Sequence, residues 1–277
     1  MKFSVLLSVY NKENPSFLRQ ALQSIYEEQT LKPNECVIVK DGPLTKELDD
    51  VLFDYKNKYP EIFKTIPLNE NQGLGNALRI GAEVCKYNFI ARMDADDLAR
   101  PSRFEKQMEF MSLNPNIDVV GSNIEEFNVI PGDLNRYKIN PEYHEELIQR
   151  IKLRSPFNHP SIIMRKETLI RAGNYNTDLL LFEDYSLFLR MWLAGAKFYN
   201  IQEVLLDFRV GSGIETIKRR SGKHYIQKEM KFIKYAKDIG AFNKLDVLMY
   251  KCMKFPIRKL PPKIVLYIYN TLLRDSK

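Results

Sequence analysis

Residues 88–97 hold the densest group of side chains suited to chemistry, because a short apolar stretch there runs into Asp94, Asp96 and Asp97. Side chains of an extended backbone alternate between faces, so Asp94 and Asp96 should project from the same face. Two carboxylates on one face at a strand end suit Mg²⁺ or Mn²⁺, which also keep water and phosphate oxygens as ligands. An Asp-rich surface turn would contain the same residues, so the surrounding elements must decide between the two interpretations.

Apolar segments of alternating strand and helix character precede this group. The periodicity predicts strands at residues 3–10, 36–39, 62–68 and 88–93, and helices at 15–25, 48–55 and 74–85. Strands that alternate with helices form a parallel sheet with right-handed connections. The sequence therefore predicts an α/β fold.

Polar residues follow three of these strands. Tyr10 and Asn11 follow the first strand, Asp41 and Gly42 the second, and Asp94 the fourth. Ligands of parallel α/β sheets bind beyond the carboxyl ends of the strands. We therefore expect the three clusters to line one crevice, which three independent surface turns would not do.

The pattern after residue 101 is less regular. It predicts strands at 118–122, 160–164 and 204–210, helices after Pro101 and at 142–154 and 183–194, and irregular segments at 128–141 and 173–182. Glu183 and Asp184 open the last helix. Two carboxylates there could take part in proton transfer, or they could only favour the positive end of the helix dipole.

Length and composition indicate a folded chain of enzyme size. With 277 residues, of which 44% are hydrophobic and 28% charged, it can bury a full core. The start of the chain has no signal-peptide pattern, and the longest apolar run, residues 264–269, is far shorter than the roughly 20 residues of a spanning helix. Cys36, Cys85 and Cys252 match neither a disulfide framework nor a zinc pattern. These features predict a cytoplasmic protein.

Positive charge is concentrated at the C-terminal end. Residues 212–277 carry 16 Lys and Arg against 5 Asp and Glu, a net charge of +11, which leaves −4 on residues 1–211. Lysines alternate with aromatic and aliphatic residues at 231–237 and 250–255. Basic amphipathic helices bind anionic membrane surfaces, although a packed appendage with a solvated basic face has the same pattern. We therefore divide the chain into a catalytic body, 1–211, and a basic helical extension, 212–277, with a boundary near 211–215.

Five segments, in this order, resemble one enzyme family. They are residues 5–11 (Val-Leu-Leu-Ser-Val-Tyr-Asn), 37–42 (Val-Ile-Val-Lys-Asp-Gly), 69–81 (Asn-Glu-Asn-Gln-Gly-Leu-Gly-Asn-Ala-Leu-Arg-Ile-Gly), 94–97 (Asp-Ala-Asp-Asp) and 182–184 (Phe-Glu-Asp). Together they resemble the inverting family-2 glycosyltransferases of the GT-A fold, notably bacterial enzymes that build surface polysaccharides on lipid carriers. The resemblance implies a Rossmann-like, mostly parallel central sheet flanked by helices. It also implies a nucleotide-sugar half at about residues 1–100 and an acceptor half at about 101–211.

The resemblance places the donor in the first half. It implies that Asp96 binds Mn²⁺ or Mg²⁺ directly and that Asp94 contacts the ribose or a metal-bound water. Asp41 would accept a hydrogen bond from the uracil imide, although an Asp-Gly pair also forms turns without a ligand. Asp97 should cap the segment that follows it, and Arg79 either reaches a phosphate or lies on a solvated helix face. The expected donor contacts are Tyr10, Asn11, Glu13, Asp41, Gly42, Asn71, Gly73, Asn76, Arg79, Asp94, Ala95 and Asp96.

Transfer with inversion needs a base opposite the leaving group, and the resemblance implies Asp184 for this role. Glu183 would orient the acceptor or share the work. Candidate acceptor contacts are His159, Trp192 and Arg209, although His159 could be a structural histidine and Trp192 a core residue. Many members of the resembled family carry a histidine shortly after the arginine that corresponds to Arg209. The present chain lacks that histidine, so the resemblance leaves a phosphate or metal role at Arg209 open.

These features predict an inverting, non-processive glycosyltransferase at the inner face of the cell membrane. It would move one hexose from a UDP-sugar, with UDP-galactose preferred to UDP-glucose or UDP-GlcNAc, to a lipid-pyrophosphate-linked saccharide in O-antigen or capsule biosynthesis. Processive relatives carry a Gln-x-x-Arg-Trp signature, which residues 190–192 (Arg-Met-Trp) do not match. A nucleotidyltransferase stays open as an alternative, although residues 11–15 are not the Gly-rich basic loop expected there. A nucleic-acid-binding protein is disfavoured by the acidic body, so no nucleic-acid partner is expected.

Overall fold

The computed structural model describes residues 1–210, 222–258, 260–261 and 264–265. Strands and helices alternate in the first half as β1 (Phe3–Val9), α1 (Pro15–Tyr26), β2 (Glu35–Lys40), α2 (Lys46–Lys58), β3 (Phe63–Pro67), α3 (Leu74–Val84) and β4 (Phe89–Arg92). Side-chain caps start two of the helices. The Asn14 side chain accepts hydrogen bonds from the amides of Ser16 and Phe17, and Thr45 accepts one from the amide of Leu48.

The second half is built of shorter elements. They are β5 (Leu98–Ala99), α4 (Arg103–Leu113), β6 (Val119–Phe127), β7 (Arg136–Lys138), α5 (His144–Ile151), β8 (Ile163–Arg165), α6 (Lys166–Arg171), α7 (Glu183–Leu193) and β9 (Phe198–Arg209). Two further helices, α8 (Gly222–Asp238) and α9 (Lys244–Arg258), follow within the basic extension.

One sheet joins all nine described strands in the order β3-β2-β1-β4-β8-β6-β9-β5, with β7 paired to β6. The strands β3, β2, β1 and β4 pair in parallel, which confirms the predicted arrangement of the first half. Beyond β4 the sheet is mixed, because β8 pairs antiparallel with both β4 and β6 whereas β6 and β9 are parallel. The carboxyl ends of the first four strands therefore lie at one edge.

Several of the predicted boundaries are wrong, including that of the strand predicted at 204–210, which begins at Phe198. The strand predicted at 118–122 continues to Phe127, because β6 pairs with β9 along its whole length and keeps Glu125 and Glu126 buried. These glutamates form ion pairs with Arg100 and Arg136, so a polar sequence is held within the sheet. The strand β7 lies in the segment predicted as loop. Pro160 lies in a short 3₁₀ turn, so the strand predicted at 160–164 begins only at Ile163.

Buried side chains fill both faces of the sheet, in the alternation that strands require. Val5 and Leu7 of β1 belong to a cluster with α1, α2 and α4, whereas Leu6 belongs to a second cluster with α3 and α7. The second cluster also includes Phe232 of α8 and Tyr250 of α9. The described helices of the basic extension are therefore packed on the body.

The predicted boundary near residues 211–215 lies outside the described residues. Phe232 and Ile233, within the stretch that suggested a membrane-binding helix, are buried in the core at 0% and 2% exposure. In the described ranges, every helix falls short of the length and hydrophobicity that crossing a bilayer requires.

Candidate functional site

The carboxylate group after β4 has the alternation that the sequence predicts. Asp94 and Asp96 are half-buried, whereas Ala95 and Asp97 are buried at 4% and 0% exposure. Three carboxylate oxygens, one each from Asp94, Asp96 and Asp97, lie within 4.8 Å of one another. Oxygen atoms at this spacing suit a hard divalent cation.

Arg92, the last residue of β4, forms an ion pair with Asp94 although its side chain is only 2% exposed. Among the described residues, its Nε and Nη1 atoms have no hydrogen-bond partner. Sequence analysis missed this residue. The available signal was a single arginine within an otherwise apolar strand, next to the aspartates.

Asp97 does not cap the segment after it, so that expectation was wrong. Its Oδ1 accepts a hydrogen bond from the backbone amide of Arg209 in β9 at 2.9 Å. The Arg209 side chain in turn donates from Nε to the carbonyl oxygen of Asp96 at 2.8 Å and stacks on the ring of Phe17, 3.9 Å from its centroid. Arg209, expected as an acceptor contact, thus holds the backbone of the aspartate group.

Three carboxylates crowd together in this group, and Arg92 is paired with Asp94. Burial, followed by the charge of Asp94, raises the pKa of Asp96 to about 6. Burial and the charges of Asp96 and Asp94 raise the pKa of Asp97 well above its usual range, and its Oδ2 has no partner among the described residues. A bound divalent cation would offset this charge, so Asp94 and Asp96 fit the metal that the sequence suggested.

Asp41, at the end of β2, organises the turn that precedes α3. Its Oδ1 accepts a hydrogen bond from the amide of Gln72 at 2.7 Å, and its Oδ2 accepts one from the amide of Gly73 at 3.0 Å. The Asn71 side chain donates to the Asp41 carbonyl oxygen at 3.2 Å. Asp41 is only 4% exposed, so it has the turn-forming role that the sequence left open beside the uracil contact.

Gly42 makes this arrangement possible. Its φ is +85°, and a Cβ there would lie 2.6 Å from the amide nitrogen of Asn71. No other residue type fits without a shift of the turn. In the first turn of α3, the Asn76 side chain donates to Gln72, which adds a side-chain contact between the helix and the turn.

The end of β1 lies between the Asp41 and Asp94 strand ends, because β1 pairs with both β2 and β4. Asn11 is exposed and Glu13 half-buried there, and the amide of Glu13 donates to the carbonyl of Tyr10 at 3.1 Å. Tyr10, Asn11, Asp41 and Asp94 are thus at one edge, as predicted.

Arg79 lies on the exposed surface of α3. Its Nε is 3.6 Å from a carboxylate oxygen of Glu83 one turn along the helix, and its side chain is 46% exposed. This contact agrees with the solvated helix face that the sequence left open for Arg79.

The carboxylates of Glu183 and Asp184 open α7 close to the start of α3. A Cβ on Gly75 of α3 would lie 2.8 Å from the Asn176 carbonyl oxygen and 3.3 Å from the Glu183 Cβ. Because only residues 68–73 separate β3 from α3, this close approach brings the carboxylate pair near the edge where the strands end. Burial, followed by the charge of Asp184, raises the pKa of Glu183 to about 7.

The other two acceptor candidates are packed in the body. His159 is 8% exposed, and its Nε2 lies 3.0 Å from the hydroxyl of Tyr175. Burial, followed by the Arg92 charge, lowers the pKa of His159 well below its usual range, so the ring is neutral. Trp192 packs partly buried against the core. Both placements agree with the structural alternatives that the sequence left open.

Comparison of the sequence with known protein families gives a result that agrees with the sheet and its carboxylate clusters. The family described as Glycosyl transferase family 2 matches residues 4–173. The chain belongs to this family and is a glycosyltransferase. This membership decides against the nucleotidyltransferase alternative.

Two curated relatives align over nearly their whole length. The chain is 37% identical over 273 residues to UDP-Gal:alpha-D-GlcNAc-diphosphoundecaprenol beta-1,3-galactosyltransferase of Escherichia coli, covering 99% of this chain and 97% of that protein. It is 35% identical over 268 residues to amylovoran biosynthesis glycosyltransferase AmsE of Erwinia amylovora, covering 97% and 98%.

The solved structure of S. aureus TarS 1–349 in complex with UDP-GlcNAc is similar with a TM-score of 0.63 at 17% identity. The match covers 98% of this chain and 79% of that one. This likeness confirms the GT-A fold predicted from the sequence.

Proposed function

We propose that this protein is an inverting, non-processive glycosyltransferase that uses Mn²⁺ or Mg²⁺ and moves one hexose from a UDP-sugar to a sugar hydroxyl. One observation carries the proposal. The carboxylate pair opening α7 lies against the start of α3, where a Cβ on Gly75 would be 3.3 Å from the Glu183 Cβ, on the side of the sheet where Arg92 at the end of β4 pairs with Asp94. A donor-side metal site and an acceptor-side base are the two parts that a single displacement at the anomeric carbon needs.

Asp94 and Asp96 are the residues that would hold the cation. When bound, a divalent cation supplies a Lewis acid for the departing diphosphate. Asp96 would be the direct ligand, and Asp94 would contact the ribose or a metal-bound water. Arg209 and Asp97 hold the backbone of this group in place through β9.

Asp184 would act as the base that takes the proton of the acceptor hydroxyl, while Glu183 orients the acceptor. A positioned base typically contributes 10²–10⁴-fold to a rate. Asp184 is half-buried, and its Oδ1 accepts a hydrogen bond from the amide of Tyr185 at 2.7 Å, which limits the rotation of the carboxylate.

The donor nucleotide would be UDP, bound at the ends of β1 and β2 by Tyr10 and Glu13, with Asp41 holding the turn beside them through the amides of Gln72 and Gly73. The name of the Escherichia coli relative favours UDP-galactose over UDP-glucose and UDP-GlcNAc. The same name includes a diphosphoundecaprenol acceptor, and AmsE is named for amylovoran biosynthesis. We extend both features to this chain as a lipid-pyrophosphate-linked acceptor in surface-polysaccharide biosynthesis at the inner face of the cell membrane.

Two substitutions separate the metal site from the base. Asp96→Asn should remove most transfer and weaken UDP binding in the presence of Mn²⁺, because the direct ligand is lost. Asp184→Asn should lower kcat by about 10²–10⁴-fold and leave UDP affinity nearly unchanged, because the donor contacts lie elsewhere. Turnover with a panel of UDP-sugars and UDP binding by calorimetry measure both effects. Asp50→Asn, at an exposed aspartate of α2, is the matched control.

Three outcomes would contradict parts of this proposal. If Asp96→Asn binds UDP and turns over like the parent, and EDTA has no effect on either, the metal assignment is wrong. If Glu183→Gln loses turnover while Asp184→Asn keeps it, the roles of the pair are exchanged. If both variants turn over normally, the pair only starts a helix and the base lies elsewhere.

A further inference from the structure

The outward face of α9 is apolar, the opposite of what a solvated surface helix shows. Seven of its residues are exposed, and all but Lys244 are apolar: Leu245, Leu248, Met249, Cys252, Met253 and Pro256. Leu245 and Leu248 are 75% and 59% exposed, and Met249 and Met253 are 44% and 49% exposed. The spacing of three and four residues places these side chains in one stripe along the helix. A contiguous apolar stripe of this kind marks an interaction surface.

The neighbouring helix α8 presents positive charge instead. Lys223, Lys231, Lys234 and Lys237 are exposed and lie along one side of that helix. The two helices run antiparallel, since Arg258 at the end of α9 lies 4.7 Å from the ring of Tyr225 at the start of α8. An apolar stripe and a basic stripe thus lie on adjacent helices of one hairpin.

This hairpin packs against the two residues that flank the carboxylate pair of α7. Phe232 of α8 stacks on Phe182 with ring centroids 4.7 Å apart, and it lies 4.5 Å from the ring of Tyr185. These two residues flank Glu183 and Asp184. Tyr250 of α9 also lies beside Phe232, with ring centroids 6.3 Å apart, and donates a hydrogen bond to the buried Glu229 at 3.0 Å. One layer of side chains therefore separates the candidate base from the hairpin.

We propose that the exposed face of α9 inserts its apolar side chains into the surface of an anionic lipid bilayer, with the lysines of α8 against the lipid phosphates. The charge on α8 selects this occupant, because a basic stripe beside an apolar stripe complements an anionic lipid surface. The inference rests on the proposed function, since a lipid-linked acceptor is what would be presented at that surface. It also revises the sequence-based expectation: Phe232 and Tyr250 serve the core, and the contact belongs to Leu245, Leu248, Met249 and Met253.

Surface substitutions test the proposal in the full-length protein. The variant Leu245→Gln/Leu248→Gln/Met249→Gln should reduce sedimentation with phosphatidylglycerol–phosphatidylcholine vesicles at least ten-fold. The control Leu113→Gln/Val129→Gln/Ile130→Gln removes three comparably exposed apolar side chains elsewhere and should stay within two-fold of the parent. The variant Lys231→Gln/Lys234→Gln/Lys237→Gln should bind anionic vesicles more weakly and lose most of the salt dependence seen in the parent. Truncation is unsuitable, because it would uncover Phe182 and Tyr185.

Thermal melting verifies that each variant is folded, and light scattering reports the oligomeric state. Equal sedimentation of the parent and the α9 variant, or no binding of the parent to anionic vesicles, overturns the proposal. A parent dimer that the α9 variant dissociates, without vesicle binding, makes this face a self-association surface and also overturns it. Metal-dependent hydrolysis of UDP-sugar without vesicles reports the proposed function separately, so failure of either idea can be told from failure of the other.

Discussion

Replacing Glu183 by Gln should stabilise the protein at alkaline pH and change its stability little at acidic pH. Burial and the charge of Asp184 raise the pKa of Glu183 from 4.5 to about 7. A carboxyl group with a raised pKa in the folded state binds its proton more tightly there than in the unfolded chain. Stability is therefore lost as the pH rises from about 4.5 to about 7, and the full penalty applies above that range.

The rise in the pKa of Glu183 sets the size of the stability loss at alkaline pH. A rise from 4.5 to about 7 corresponds to at most about 3 kcal/mol. Glu183 keeps some exposure to water, so we expect about 1–2 kcal/mol of penalty at pH 8. For a chain of this size, this is a gain of about 2–8 °C in Tm for Glu183→Gln at pH 8 and little gain at pH 5. Packing effects of the substitution are the same at both pH values and cancel in the difference.

Thermal melting of the parent and the variant at pH 5 and pH 8 measures this difference. The charge of Asp184, which is the second cause of the raised pKa of Glu183, supplies an internal control. In an Asp184→Asn background, the pH-dependent gain from Glu183→Gln should shrink, because the neighbouring negative charge is gone. A Glu183→Gln variant whose change in Tm is the same at both pH values would refute the argument that Glu183 is buried beside a like charge.

Two further changes test the packing that supports the site. Gly42→Ala should lower the free energy of unfolding by about 2–3 kcal/mol and weaken UDP binding. The control Gly195→Ala is also at positive φ but has nothing within 4 Å of its Cβ, so it should cost about 1 kcal/mol and spare binding. Similar denaturant midpoints for the two variants would count against the clash with Asn71. Arg92→Met should lower the free energy of unfolding by about 2–4 kcal/mol. The control Arg19→Met removes an ion pair in which both side chains are about half exposed, so it should cost under about 1 kcal/mol. Equal losses of stability in the two variants would show that burial of Arg92 is energetically unimportant.

The first half of the fold and the positions of the donor-side clusters follow from the sequence alone. Local periodicity places β1, β2, β3 and β4, and the βα alternation makes them parallel, so the polar residues after them must share an edge. The alternation of polar and apolar residues after β4 also agrees with the half-buried Asp94 and Asp96 on either side of the buried Ala95. These features depend on neighbours in the chain, which is why sequence patterns reveal them.

Tertiary structure decided the features that depend on distant partners. Asp97 meets the amide of Arg209, 112 residues away, so no local capping pattern could assign its role. The strand β6 extends through Glu125 because β9 pairs with it and Arg100 neutralises the charge. In the extension, composition could not tell which apolar residues face the core. Phe232 is buried because Phe182 and Tyr185 provide rings to stack on, and Leu245 is exposed because the described residues offer it no such surface.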